Sequence, residues 1–281
     1  MTRPPQLADR AALARNRARA RRAGPALFLH EHAAGEIEER LSEVNREFTA
    51  PAIVTGFPDF WHRVVPDARI VADDETLDLA EGAHDLVAHA MGMHWAADPV
   101  GQLVQCRRAL RPDGLLLAVL LGGRTLHELR AALAAAEARV CDGLSPRVAP
   151  MGELRDMGGL LQRAGLALPV ADSVPLTASY ADLTALMHDL RAMGEANALA
   201  ARHRAIPPRA LFAEAAREYA AHHAGPEGRL RATFELVFLT GWAPAPDQPQ
   251  PLRPGSAATR LAEALGTEET RLPDKTPHRR D

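Results

Sequence analysis

Short apolar strand-like runs alternate with stretches of helical spacing across the first half of the chain, and nothing else in the sequence limits its fold as strongly. "PAIVTG" (51–56) is rich in β-branched residues and opens the series. "ARIVAD" (68–73) follows, then "HDLV" at the start of 84–95, then "LLLAVLL" (115–121), a fully apolar strand of the kind that lies inside a parallel sheet. Strands that alternate with helices predict an α/β protein with a doubly wound, mostly parallel sheet. Such sheets take ligands at the carboxyl ends of their strands, where the chain switches direction. Those ends are Thr55–Gly56, Asp73–Asp74 and the segment from Met91 to Trp95.

The helices can be placed from their caps and periods. Residues 6–22 and 27–46 read as helical, the second with Ile37, Leu41 and Val44 on one face. "DFWHRVV" supplies only a short helix. Asp98 is a predicted N-cap with Pro99 at the first helical position, and Val100, Leu103, Val104 and Leu110 line one side of the helix that follows. "RPDG" (111–114) predicts a turn, and Thr125 with Glu128 a capping box at the head of the next helix. A helix over 152–165 stops at Gly165, "LALPVADSV" reads as a strand, helices cover 181–194 and 207–223, and 231–242 is a long last strand. Five prolines make 244–254 irregular; a weak helix over 257–265 and a disordered tail from about 266 follow. The expected division is a helical cap over 1–50, an α/β domain over 51–243 with a late helical insert at 181–224, and a Pro-rich segment with tail over 244–281.

Composition removes whole classes of function. A formal net charge of −3 gives no reason to expect nucleic acid or an anionic membrane as a partner, and no apolar run approaches the roughly 20 residues of a membrane span. Cys106 and Cys141 form no CxxC pair, so the expected setting is a reduced, cytoplasmic one. The only lysine is Lys275, in the tail, so no Schiff-base or P-loop lysine exists in the body of the protein. His84 and His89 are five apart, which on a strand places them on opposite faces, and His222–His223 diverge on a helix, so no metal site is expected. GxSxG, GxGxxG and HExxH are all absent. "GGRT" (122–125) could offer free amides to an anion, although turn geometry explains its glycines. Seven arginines and one acid in the first 22 residues have the composition of a transit peptide; the reading preferred here is an arginine-rich surface helix that caps the domain.

A longer set of motifs carries a family resemblance. "HDLV", "HW" (94–95), "LRPDG" (110–114), "GGRTLHELR" (122–130), "LSPRVAP" (144–150), "LLQRAGL" (160–166), "MGEAN" (193–197), "RATFELVFLTGW" (231–242) and "RPGSA" (253–257) resemble the class I S-adenosylmethionine (SAM) methyltransferases. Within them, the chain resembles the complex I assembly factors related to the mitochondrial arginine hydroxylase, with the malonyl-carrier-protein methyltransferases as more distant kin. The resemblance implies a Rossmann-like sheet of seven strands with SAM over its carboxyl edge. It also implies a glycine-rich loop after the first strand, an acid ending the second for the ribose hydroxyls, and an acid after the third near the adenine.

The chain departs from that pattern at the ligand edge. Val54, Thr55, Gly56, Phe57 and Pro58 stand where the family has an acid and G-x-G-x-G; Phe57 and Pro58 fill space, and Pro58 lacks an amide donor. Val87 lies only 33 positions after Val54, whereas two βαβ steps need roughly 60 residues. One strand-helix unit, carrying the ribose acid, is therefore missing, and "ARIVADDE" resembles the family's third strand. The expected cofactor-side residues are Thr55, Gly56, Asp73, Asp74, Met91, His94 and Trp95, with His94 the one candidate acid/base, and Glu195 and Asn197 on the substrate side. The functional expectation is a SAM-dependent, methyltransferase-like protein of the complex I assembly type with a degenerate cofactor loop, acting on a protein substrate such as a subunit of the respiratory NADH dehydrogenase. A non-catalytic assembly protein that has lost SAM, and a carboxyl methyltransferase for a carrier-bound acid, are the alternatives.

Overall fold

The computed structural model of the chain describes residues 6–141, 143–225, 227–248 and 259–267. Residues 1–245 form one compact unit and 246–281 a second; the second contributes a short helix, Leu261–Leu265, inside the expected 257–265. The expected course of 249–254 and the tail beyond 267 lie outside the described residues.

Two helices come first, α1 (Arg10–Ala23) and α2 (Phe28–Val44). α1 starts at Arg10 because Asp9 caps it, accepting from the Ala12 N–H at 3.0 Å. Then follow β1 (Pro51–Thr55), α3 (Pro58–Val64), β2 (Arg69–Val71), β3 (His84–Ala90), α4 (Pro99–Ala109), β4 (Leu110–Leu121), α5 (His127–Val140), α6 (Leu154–Arg163), β5 (Ala167–Tyr180), α7 (Leu183–Ala192), α8 (Arg209–His223) and β6 (Leu230–Trp242). The six strands form one sheet in the order β2-β1-β3-β4-β6-β5. β1 pairs in parallel with β2 and β3, and β3 with β4; β6 runs antiparallel between β4 and β5. The α/β, mostly parallel, Rossmann-like sheet expected from the strand-helix alternation is present, with six strands. No strand stands between β1 and β2: Val54 pairs directly with Val71.

β4 shows why the sheet is central. Leu115, Leu117, Val119 and Leu121 belong to a core shared with Leu29, Ala33, Ile37, Leu129, Leu133 and Phe234. Leu116, Ala118 and Leu120 belong to a second core with Val54, Val87, Leu103, Leu161 and Leu239. Alternate residues of one strand thus face two separate cores, which is why 115–121 is apolar at every position.

Two local expectations are corrected. Thr125 and Glu128 form no capping box. Leu126, at φ 53°, precedes α5 without a side-chain cap. Thr125 Oγ1 instead accepts from the Glu235 N–H at 3.0 Å, and the Glu128 carboxylate accepts from Thr233 N and Oγ1. Thr233 and Glu235 of β6 take the place of the local partner. "RPDG" is an outward bulge within β4: Leu110 pairs with His84 and Leu115 with Leu86, so 111–114 loop out. Asp113, at φ 60°, donates its N–H to Ala243 O, and Ala243 returns one to Gly114 O. The Asp98 cap is as expected, with Oδ1 accepting from Gly101 N at 2.8 Å.

Candidate functional site

The register brings the ends of β1, β2 and β3 level: Val54 lies beside both Val71 and His89, and Thr55 beside Ala90. Chain direction switches here, since β1 is followed on one side by β2 and on the other by β3. Thr55 is buried, and its Oγ1 accepts from the Phe57 N–H at 3.1 Å, closing a tight turn. Phe57 leaves the edge by packing its ring on His30 of α2, centroids 4.8 Å apart. Met91 adopts φ 57° and donates its N–H to Val119 O. Gly92 follows, and a Cβ there would lie 2.5 Å from Asp73 Oδ2, so the Asp73 carboxyl fits only because this position has none. Gln102 of α4 holds the loop after β2, donating to Asp74 O at 2.6 Å while its Oε1 meets His89 Nε2 at 3.0 Å.

The N-terminal helix enters this edge. Arg17 is only 5% exposed, and its Nη1 donates to both oxygens of Asp73, at 2.7 and 2.8 Å. Its guanidinium lies against Gly56: a methyl group there would come within 2.5 Å of Cζ and 2.7 Å of Nε. Arg21 donates to Gly56 O at 3.0 Å; Arg10 donates to Asp73 O and lies 3.6 Å from the largely exposed Asp74 carboxylate. α1 is therefore no surface cap alone. Its buried side is Ala12, Leu13, Arg17 and Ala20, a helical stripe into which Arg17 falls by period; that spacing is the signal a reading by charge passes over. A cavity of about 400 Å³ remains, lined by Thr55, Gly56, Asp73 and Asp74 on the sheet side and Arg10, Leu13, Arg17 and Arg21 on the helix side.

A second cavity, about 300 Å³, lies at Trp95, Glu195 and Asn197. Its walls are mostly apolar, with Leu121, Leu126, Leu129, Met187 and Phe234 among them, and Arg147 and Arg191 also line it. Glu195 Oε2 accepts from Trp95 Nε1 at 2.7 Å and lies 3.2 Å from His94 Nε2, while Oε1 accepts no hydrogen bond among the described residues. Burial pushes this carboxyl up, but His94, Arg17 and the Trp95 N–H outweigh it and hold Glu195 below the ordinary carboxylate range. Asn197 is spent on structure, donating to Pro146 O at 2.9 Å and accepting from Leu199 N at 3.0 Å. His94 and Met91 are buried and line neither cavity, and His94 Nδ1 has no partner. The expected site residues other than Met91 and His94 are thus divided between two cavities.

"GGRT" meets a carboxylate of the protein itself. Gly122 N donates to Glu235 O and Arg124 N to Glu235 Oε2, so these amides are satisfied internally. Among the described residues, no group of three His, Cys, Asp or Glu side chains could hold a metal ion, and no helix is long and apolar enough to cross a membrane.

The family profile described as a methyltransferase domain matches residues 32–118. The arginine-hydroxylase NDUFAF5, mitochondrial, of Danio rerio is 33% identical over 199 residues, 71% of this chain and 62% of that protein; its Homo sapiens counterpart is 33% identical over 71% and 57%. The malonyl-[acyl-carrier protein] O-methyltransferase of Laribacter hongkongensis is 38% identical over 63% of this chain and 57% of its own. The YcgJ protein of Bacillus subtilis superposes with a TM-score of 0.48 at 11% identity, covering 77% of this chain and all of that one. The profile match and these sequence similarities support assignment of the chain to the SAM-dependent methyltransferase superfamily. Within it, the chain is similar to the mitochondrial arginine hydroxylases at 32–35% identity and to the malonyl-carrier methyltransferases at 32–38%. It spans less than two thirds of the length of these relatives.

The superfamily implies SAM, and the side chains at the sheet edge do not fit it as they stand. The carboxylate available to a ribose, Asp73, has both oxygens taken by Arg17, and the only glycine of the first loop, Gly56, is covered by the same guanidinium.

Proposed function

We propose that this chain is an assembly-type member of the superfamily that takes an arginine-bearing protein segment into the cavity at Trp95 and Glu195. The carrying observation is Glu195: one oxygen is fixed by Trp95 and His94, the other accepts no hydrogen bond among the described residues, and the walls around it are mostly apolar, with Arg147 itself paired to Glu137. A long side chain with an aliphatic stem and a cationic planar head suits such a place. An ionised carboxylate beside an indole serves a guanidinium better than a neutral group. Similarity to arginine hydroxylases supports the choice of arginine. The partner read from the resemblance is a subunit of the respiratory NADH dehydrogenase. With the cofactor edge filled by Arg17, the state described here holds its partner rather than transferring a methyl group to it.

The test uses acetylated peptides from such subunits, each with one central arginine, titrated into the full chain and followed by tryptophan fluorescence and calorimetry. The arginine peptide is expected to bind at least about tenfold more tightly than its citrulline counterpart, a difference of about 1.4 kcal/mol. Glu195→Gln should abolish that preference. Equal binding of the two peptides would refute the reading.

A further inference from the structure

The cofactor edge is not merely damaged; it is occupied by the protein. We propose that α1 is a built-in, displaceable occupant of the adenosyl seat, in which the Arg17 guanidinium takes the place of the ribose at Asp73. Adenosyl ligands then bind only when α1 withdraws. The proposal goes beyond the reading above, which concerns the other cavity.

Three observations carry it. The first is position. Without a strand between β1 and β2, the β2 end lies one strand spacing, about 4.8 Å, from β1 instead of two. Asp73 is thereby brought beside Gly92 and within reach of a side chain lying on Gly56. It remains a carboxylate at the switch point, where a sugar diol could donate to both oxygens.

The second is how that carboxylate is met. Arg17 Nη1 takes both oxygens, Arg17 stacks on Gly56, and Arg21 and Arg10 bond the backbone oxygens of Gly56 and Asp73. One helix thus supplies the arginines that meet Gly56 and Asp73 at the ends of β1 and β2.

The third is that the fit is incomplete. Arg17 Nε and Nη2 are buried without partners, although a guanidinium carries five donors. Unmet buried donors weigh against the closed state. The apolar hold of α1 is also slight, since Leu13 is its only large buried apolar side chain. A well-satisfied structural ion pair would show neither feature.

Calorimetry with S-adenosylhomocysteine on the full chain tests this. The wild type is expected to give no binding heat at about 1 mM ligand. Arg17→Ala should bind at least about tenfold more tightly, and Arg17→Ala with Asp73→Asn should lose that gain. If circular dichroism shows that Arg17→Ala does not fold, Arg17→Met is read instead, since it keeps the stem that packs against Gly194. Equal affinity of wild type and variant, or a folded variant that binds nothing, overturns the proposal. The peptide titration is run on the wild type with α1 in place, at another cavity and with another probe, so its outcome is read apart from these results.

Discussion

Replacing Gly56 by alanine probes the sheet edge with a single methyl group. Gly56 has no positive φ, so the backbone accepts alanine without strain. The methyl would lie 2.5 Å from Arg17 Cζ and must displace the guanidinium from Asp73. The overlap itself costs little, because the far end of a flexible side chain can move. The loss is the buried ion pair. Breaking such a pair on one side costs about 3–5 kcal/mol. Arg10, 3.7 Å from Asp73, compensates in part, which leaves a net cost of roughly 2–3 kcal/mol. In an Arg17→Ala background the same methyl meets no guanidinium and should change stability by less than about 0.5 kcal/mol. Four proteins complete a double-mutant cycle with a coupling of roughly 2 kcal/mol. In scanning calorimetry, Gly56→Ala should lower Tm by roughly 4–10 °C in the wild type and by about 1 °C in the Arg17→Ala protein. Equal drops in the two backgrounds would show that Arg17 does not rest on Gly56.

Other measurements reach the parts around this edge. His30 is buried, accepts from Trp61 Nε1 at 3.1 Å, and is pushed by burial from 6.5 down to about 4. The unfolded chain therefore binds a proton that the folded chain refuses between those values. Stability is full above about pH 6.5 and falls toward pH 4 by roughly 3 kcal/mol; His30→Gln should flatten that limb in denaturant titrations, and an unchanged slope would contradict the assignment. Cys106 is buried with its thiol pushed up to about 12, and Cys141 is exposed. A thiol reagent should count one group in the native chain and two in denaturant; two rapid native thiols would mean that the inner face of α4 is open.

The fold was legible where pattern and packing coincide. β4 is apolar at successive positions because it faces two cores, and Asp98 caps α4 because cap and helix are neighbours in sequence. The short span from Val54 to Val87 announced a shortened sheet, and the described residues form six strands where the resemblance implied seven. What stayed hidden depends on partners distant in sequence. Arg17 meets Asp73 across 56 positions, and a charge on a helix is read toward solvent by default. Thr125 and Glu128 have capping-box spacing, yet β6, more than 100 residues on, takes both. Glu195 and Asn197 were singled out together, but only contacts distinguish the carboxylate with a spare oxygen from the amide used as a fastener.

α1 is also stitched to the loop that carries Glu195. Asp9 N donates to Ala198 O, Ala200 N to Leu7 O, and Asn16 Nδ2 to Ala196 O. Whatever withdraws the helix loosens this seam, and whatever clamps the loop holds the helix down. If a guest at the sheet edge withdraws α1 while a guest at Glu195 clamps the loop, thermodynamic reciprocity makes the two antagonists: each raises the free energy of filling the other cavity by the amount it suffers in return.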